Sequence, residues 1–236
     1  MFHEQYNYRT HRRSFYYIPK NKGKKIYLRG ITGDIKSIFF PTEWNPASIN
    51  GQSSEEGSEQ GKKLDKELSE WCKCVNKKAF NLNALTKKIK KFTPLTKNVI
   101  NYLEKNNLRP LQTQKVVGRL KSKRATAIDL VCTSLWDSKK RILFEIKAGY
   151  RDAFLPDTVN KYRLNPPLNK YYANAFNYAF IQSCWSLLLY QTTCKLTKND
   201  EFCILNVTSD IVNEIKLKNY PTLYNDIFYH LVNHPC

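Results

Sequence analysis

The sequence predicts an α/β domain built on a mixed sheet flanked by helices. Helical periodicity in the first half gives way near residue 114 to short runs of β-branched and apolar residues. One long, mostly apolar helix follows, and a further apolar strand comes after it. With 236 residues, 42% of them hydrophobic, the chain is long enough for one large domain or a domain with an arm. We read residues 1–25 as a basic, aromatic-rich N-terminal arm and residues 26–236 as the domain itself.

The arm mixes Tyr6, Tyr8, Arg9, Arg12, Arg13, Tyr16, Tyr17 and Lys20. That mixture suits either contacts to phosphates and bases or a disordered basic tail. Residues 26–32 read as a short strand or turn, and 34–40 as one or two helical turns stopped by Pro41. Residues 50–60, rich in Ser, Gly and Glu, read as a loop. Leu64, Leu68, Trp71 and Val75 recur at helical spacing and predict a helix from Ser58, a suitable N-cap, to Lys77. Residues 77–108 hold two more helical stretches, split near Pro94, with a basic run at Lys87, Lys88, Lys90 and Lys91. Strands are predicted over 114–120, 126–133 and 141–148, the last two paired as a hairpin through the polar turn 134–140. Residues 149–172 lack regular pattern, 173–191 form an apolar helix, and 202–208 a fourth strand. Residues 209–219 and 222–233 read as closing helical segments around Pro221.

Charge and composition narrow the function classes. The net charge of +19, from 39 Lys and Arg against 20 Asp and Glu, disfavours a compact state by self-repulsion. A polyanionic partner explains it, nucleic acid first and an acidic membrane surface second. No apolar run reaches the roughly 18 residues of a membrane span, so no transmembrane helix is expected. The N-terminus also lacks the apolar stretch of a secretory signal. The cysteines number seven, an odd count; their closest pair is CxC at Cys72 and Cys74. Their spacing fits neither a zinc site nor a four-cysteine iron–sulfur cluster, so reduced thiols in an intracellular protein are expected. His3, His11, His230 and His234 all sit near the ends of the chain, which argues against histidine-based catalysis. Carboxylates, lysines and a metal remain.

Three ionisable residues stand out because they interrupt apolar strands. Asp129 lies among Ile128, Leu130 and Val131, and Glu145 and Lys147 alternate with Phe144 and Ile146. Residues two apart on a strand share a face, so Glu145 and Lys147 point the same way. A hairpin brings Asp129 beside Glu145, and two adjacent carboxylates repel unless a proton or cation separates them. A hard cation with oxygen ligands, Mg²⁺ or Mn²⁺, resolves this economically. A lone ExK on a strand more often marks a structural ion pair. The spacing D-x15-E-x-K across two apolar strands favours chemistry instead.

These residues and their flanks resemble the PD-(D/E)XK nuclease superfamily. The closest resemblance is to its RecB-like and lambda-exonuclease-like branch, which includes nucleases of large DNA viruses. Four stretches match in order: ITGDIKSIFF at 31–40, GKKLDKEL at 61–68, ATAID at 125–129 with FEIK at 144–147, and PPLNKYYANAFNYAFIQSCWSLLLY at 166–190. The Asp and ExK core with the glutamine helix is the specific part. The resemblance implies a restriction-endonuclease-like core and Mg²⁺- or Mn²⁺-dependent hydrolysis of DNA, with exonuclease action suggested by the branch. It implies that Asp129, Glu145 and the carbonyl of Ile146 hold the metal. Lys147 would orient the attacking water, and Gln182 would bond Lys147 or the scissile phosphate. Three positions depart from the family pattern: Asp65 replaces the helical His, Ala125 a Gly, and Gln114 a Glu. Asp65 is a carboxylate that suits metal ligation or a surface position equally. These departures motivate the alternative of a catalytically silent nuclease fold that binds DNA. Arg151, Lys161 and Arg163, between the ExK strand and the glutamine helix, are candidate phosphate contacts. The sequence separates neither nuclear, cytoplasmic and viral compartments nor oligomeric states.

Overall fold

A computed structural model describes residues 1–7, 12–19, 24–44, 54–77, 82–150, 154–194 and 200–233. Its elements run β1 (Phe2–Asn7), β2 (Arg12–Tyr17), β3 (Ile26–Gly30), α1 (Ile31–Phe39), α2 (Ser54–Val75), α3 (Leu82–Lys90) and α4 (Pro94–Lys105). They continue β4 (Leu108–Arg119), β5 (Arg124–Ser134), β6 (Arg141–Ala148), α5 (Ala175–Thr193), β7 (Glu201–Val207), β8 (Val212–Lys216) and α6 (Pro221–Asn233). The architecture is the α/β mixed sheet with flanking helices that the periodicity predicts.

The eight strands form one sheet in the order β1-β2-β3-β5-β6-β7-β8, with β4 pairing to β5. β5 therefore has three neighbours. β4 runs antiparallel along one whole edge of it, from Leu108↔Ser134 to Arg119↔Arg124. The other edge is shared: β3 joins it in parallel at Arg124 and Ala125, and β6 joins it antiparallel from Leu130 to Thr133. Between these two pairings no described strand lies against Thr126–Asp129 on that edge. β6 and β7 are parallel, joined by a crossover that contains α5.

Apolar faces set the layers. Ile31, Ile35 and Phe39 of α1, most of α5, and Leu223, Ile227 and Leu231 of α6 bury one face of the sheet with Ile128, Leu143 and Ile204. Leu64, Leu68 and Trp71 of α2, with Val99, Ile100 and Leu103 of α4, bury the other against Leu130, Phe144 and Leu205. α5 is buried almost all round, as expected of a helix between sheet and outer helices. Its start is fixed by Asn174, whose side chain accepts from the Asn177 amide at 2.8 Å. Glu67 ties α2 to α4. It accepts from the Thr93 amide and hydroxyl at 2.9 and 2.7 Å and from the Thr96 hydroxyl at 2.6 Å, at a helix N-terminus where negative charge is favoured.

Several elements depart from the sequence reading. Residues 212–216 are strand β8, not helix, because β7 offers them a ladder from Cys203↔Lys216 to Val207↔Val212; only Leu217–Asn219 turn helically. α2 begins at Ser54, so part of the expected loop is helix. α1 begins at Ile31 rather than near Asp34. β4 starts at Leu108 and passes through Pro110, which is tolerated because β4 pairs on one side only and skips register between Pro110 and Gln112. The arm is not a tail: β1 and β2 form an antiparallel hairpin that continues the sheet through β3. Gly118 permits this close approach, since a Cβ there would stand 2.9 Å from the Arg124 carbonyl oxygen and 3.0 Å from the Phe2 ring.

At the far edge, Glu201 gathers three lysines from two segments: Lys218 at 2.6 Å and Lys216 at 4.0 Å from the end of β8 and the turn after it, and Lys140 at 3.5 Å from the turn before β6. Burial alone would raise its carboxyl. The hydrogen bond from Lys218 and the charges of Lys140, Lys218 and Lys216 outweigh that and hold it below the ordinary value of 4.5. A depressed folded-state pKa stabilises above the unfolded pKa, and the contribution is lost as pH falls through the folded one. Glu201→Gln is expected to cost about 1 kcal/mol in urea unfolding at pH 7 and low salt. That gap should close as the pH drops below 4.5 and narrow in high salt.

Candidate active site

The site forms where β5 and β6 part. Their ladder ends at Leu130↔Phe144, one residue short of Asp129 on β5. The Asp129 side chain takes over: Oδ2 accepts the Ile146 amide at 2.8 Å, bridging the diverging strands. In a strand a residue's N–H and C=O leave by the same edge, so the Ile146 carbonyl also faces this gap. From the opposite strand, Gln114 Nε2 donates to Asp129 Oδ1 at 3.3 Å. Gln114 has a φ of 48°, a left-handed conformation uncommon for a side-chain-bearing residue, and it sits at the rung facing Asp129.

Glu145 is 2% exposed. Lys147 Nζ donates to its Oε1 at 2.8 Å and to Gln182 Oε1, from α5, at 3.1 Å. Glu145 Oε2 is buried with no hydrogen-bond partner. A buried polar atom without a partner costs about 1–3 kcal/mol, more for a charged group, so its retention calls for a reason. Burial pushes the Glu145 carboxyl up to about 8; the Asp129 charge adds to this, Lys147 opposes it, and Asp65 contributes further. Burial works against the charge of Lys147, but Glu145 and Asp129 more than compensate, and its pKa is raised. The two shifts pull apart, since a neutral Glu145 weakens what holds Lys147 charged. Lys147 is held charged by Asp129 and by its 2.8 Å contact with Glu145.

Asp65, on α2, is close enough for its charge to raise Glu145. Among the described residues, however, no group of three or more His, Cys, Asp and Glu side chains is arranged to hold a metal, so Asp65, Asp129 and Glu145 do not close into one cluster. The donor set that the gap offers is two carboxylates with the Ile146 carbonyl. It fits a hard cation: an orphaned carboxylate oxygen, repulsion between Asp129 and Glu145, and oxygen donors throughout.

An open groove of about 870 Å³ reaches this gap along the exposed edge of β5. It is lined by Thr126, Ala127 and Asp129, by Gln182, and by Arg29, Thr32 and Asp34 around the start of α1. Asp34, 3% exposed, pairs with Arg29 at 2.7 Å and with Arg124, fixing α1 to the ends of β3 and β5. The sequence reading missed this clamp, and it missed the contact from Gln114. Asp34 and Arg124 lie far apart in the chain, and nothing in either neighbourhood signals the pairing.

Of the residues the sequence singled out, Asp129, Glu145, Lys147, Gln182 and Ile146 come together, with Asp65 at longer range. Lys161 and Arg163 do not join their hydrogen bonds. Arg163 stacks its guanidinium 3.7 Å from the Tyr172 ring centroid and donates to the Lys170 carbonyl at 2.8 Å, while Lys161 lies over Tyr162 at 5.4 Å. Both side chains are exposed. Arg151 lies outside the described residues, and so do the cysteine and histidine at 236 and 234. No helix of the described residues is long and apolar enough to cross a membrane.

A scan against protein-family models and a search of curated proteins found no match to this chain. What fold and site together define is an α/β protein with an acidic gap, backed by a lysine and a glutamine, at the split edge of its central strand.

A cation that binds the folded gap and not the unfolded chain stabilises the fold. Mn²⁺ at a hundredfold its dissociation constant is expected to raise the melting temperature by about 5–10 °C. The shift should vanish in Asp129→Asn and in Glu145→Gln. Differential scanning fluorimetry against an EDTA-treated control reads this without any activity assay, and equal shifts in all three proteins would place the cation elsewhere.

Proposed function

We propose that this chain is a metal-dependent nuclease of the PD-(D/E)XK type that hydrolyses phosphodiester bonds in DNA. The observation that carries the reading is the convergence of Asp129, Glu145, Lys147 and Gln182 on one gap, with a buried carboxylate oxygen left for a cation. The resemblance of residues 125–147 and 166–190 to that superfamily supports it, and the net charge of +19 suits a nucleic-acid partner.

Asp129, Glu145 and the Ile146 carbonyl would hold Mg²⁺ or Mn²⁺, which when bound supplies Lewis-acid activation of the phosphodiester and of water. The rest falls to the chain. Lys147, kept charged by its acidic neighbours, stands where it can orient a water and offset the negative charge that develops on phosphorus oxygens. Gln182 holds Lys147 by its carbonyl oxygen, which leaves its amide nitrogen free to face the groove. The buried walls of β5, β6 and α5 fix these groups on regular elements rather than on loops, which suits a site that must hold geometry under charge. No base-reading motif is present, so cleavage is expected with little sequence preference. Exonuclease action and a place in replication, recombination or repair follow from the branch resemblance.

A second reading, a silent fold that binds DNA, draws on the Gln114–Asp129 contact: a neutral amide occupies one oxygen of the carboxylate that would hold metal. One experiment separates the two. End-labelled linear and closed circular DNA are incubated with Mg²⁺ or Mn²⁺ and wild type, Glu145→Ala or Lys147→Ala. Wild type is expected to cut, with each variant reduced at least about 100-fold while still binding DNA. Cutting of linear DNA alone makes it an exonuclease. Tight binding without cutting by wild type in either metal establishes the silent fold.

A further inference from the structure

The N-terminal extension of the sheet carries an aromatic row that the cleavage site does not use. His3, Tyr16 and Tyr27 are direct cross-strand partners on β1, β2 and β3. Their rings stand in series: His3 stacks on Tyr16 with centroids 5.2 Å apart and planes at 15°, and Tyr16 meets Tyr27 at 6.4 Å. Lys25 places its ammonium 4.5 Å from the Tyr16 centroid. The alternate residues, Phe15 and Leu28, turn the other way into a small apolar cluster with Ala125 and Ala127. The row therefore belongs to the opposite face of this extension.

Two features make the row more than packing. Tyr27 is 63% exposed, although it ends the series. β5 pairs with β3 only at Arg29 and Gly30, so no described strand stands beside Tyr27 on its outer side. A large ring held upright by its neighbours and open to solvent on one side costs apolar exposure without a partner. The extension that carries the row also borders the groove that reaches Asp129 and Gln182: Ser14 and Arg29, which alternation places on the row's face, line it together with Phe15 and Leu28 from the other face.

We propose that this row is a stacking platform for unpaired bases of a single DNA strand that runs along the groove, with Tyr27 as the terminal ring and Lys25, over the neighbouring Tyr16, for backbone phosphate. Aromatic rings with adjacent cations bind single strands without sequence preference, because every base has a π-face and every nucleotide a phosphate. The chain's charge of +19 supplies the complementary field. This rests on the nuclease reading for the direction of the strand, but its test does not use cleavage.

The probe is a fluorescein-labelled single-stranded oligodeoxynucleotide of mixed sequence, titrated with full-length protein in EDTA and followed by anisotropy, beside a blunt duplex of the same sequence. Tyr27→Leu, which keeps an apolar strand residue but removes the ring, is expected to weaken single-strand binding at least about 5-fold. Tyr27→Trp should retain it, and the duplex affinity should change less than 2-fold, roughly the noise of such titrations. Tyr229→Leu, at another exposed tyrosine, on α6, should bind like wild type. Unchanged single-strand affinity in Tyr27→Leu overturns the platform. So does a loss that is equal for duplex and single strand, or equal in Tyr229→Leu. Melting temperatures of the four proteins show whether each variant is folded. Failure here with metal-dependent cutting intact removes the platform alone, whereas absent cutting with the Tyr27 effect intact removes the nuclease reading alone.

Discussion

The sharing of one strand edge between two partners governs this molecule. On one edge β5 pairs first with β3, at Arg124 and Ala125, and then with β6, from Leu130 to Thr133, and no described strand pairs with the stretch between them, Thr126–Asp129. An interior strand cannot leave backbone groups unpaired without cost, so something must take the Ile146 amide that β5 no longer reaches. Asp129 does so with a carboxylate rather than a carbonyl. That substitution puts a charge where a ladder bond would be neutral. Once it is there, Glu145 on the next strand is pushed toward its protonated form, and Lys147 is held charged beside both. The acidic gap thus follows from topology: it opens where the β5–β6 ladder stops at Leu130↔Phe144.

The surrounding helices read as devices for holding that gap open at fixed geometry. α5 sends Gln182 across it and is itself pinned by Asn174 at its start. α1 is fastened by Asp34 to arginines at the ends of β3 and β5, two strands that line the groove. α2, which carries Asp65, is held in register against α4 by Glu67 and two threonines. Each fastening is a buried or half-buried polar or charged side chain, and its directional contacts give a single arrangement that apolar packing alone would not select.

Much of this was legible in the chain, and the failures have physical causes. Asp129, Glu145 and Lys147 announce themselves because charge inside an apolar strand is rarely idle, and period-two alternation places Glu145 and Lys147 on one face. The buried helix 175–193 is legible from length and apolarity. Residues 212–216 are ambiguous in sequence because Val212, Ile215 and Leu217 suit a helix face as well as an edge strand, and only the edge of β7 decides. The arm was undecided because a hairpin of basic and aromatic residues has the composition of a tail. Its order comes from pairing with β3 and from Phe2 over Gly118, neither of which is local. The Asp34–Arg124 clamp and the positive φ of Gln114 are likewise tertiary facts, invisible to spacing.

Local and global electrostatics oppose each other here, and that opposition bears on how such a site would work. The chain's charge of +19 draws polyanions and repels cations, while the gap sets the Asp129 and Glu145 carboxyls against each other. A cation in the gap removes the local repulsion, and a polyanion on the surface lowers the global one. Each ligand therefore favours the other's binding, and by thermodynamic linkage the effect is the same in both directions. On the nuclease reading, neither DNA alone nor metal alone sits well at Glu145, and the site is complete only when both are present. Burial and the Asp129 charge raise the Glu145 carboxyl, so a cation between the two carboxylates would relieve what raises it, and binding there would compete with protons.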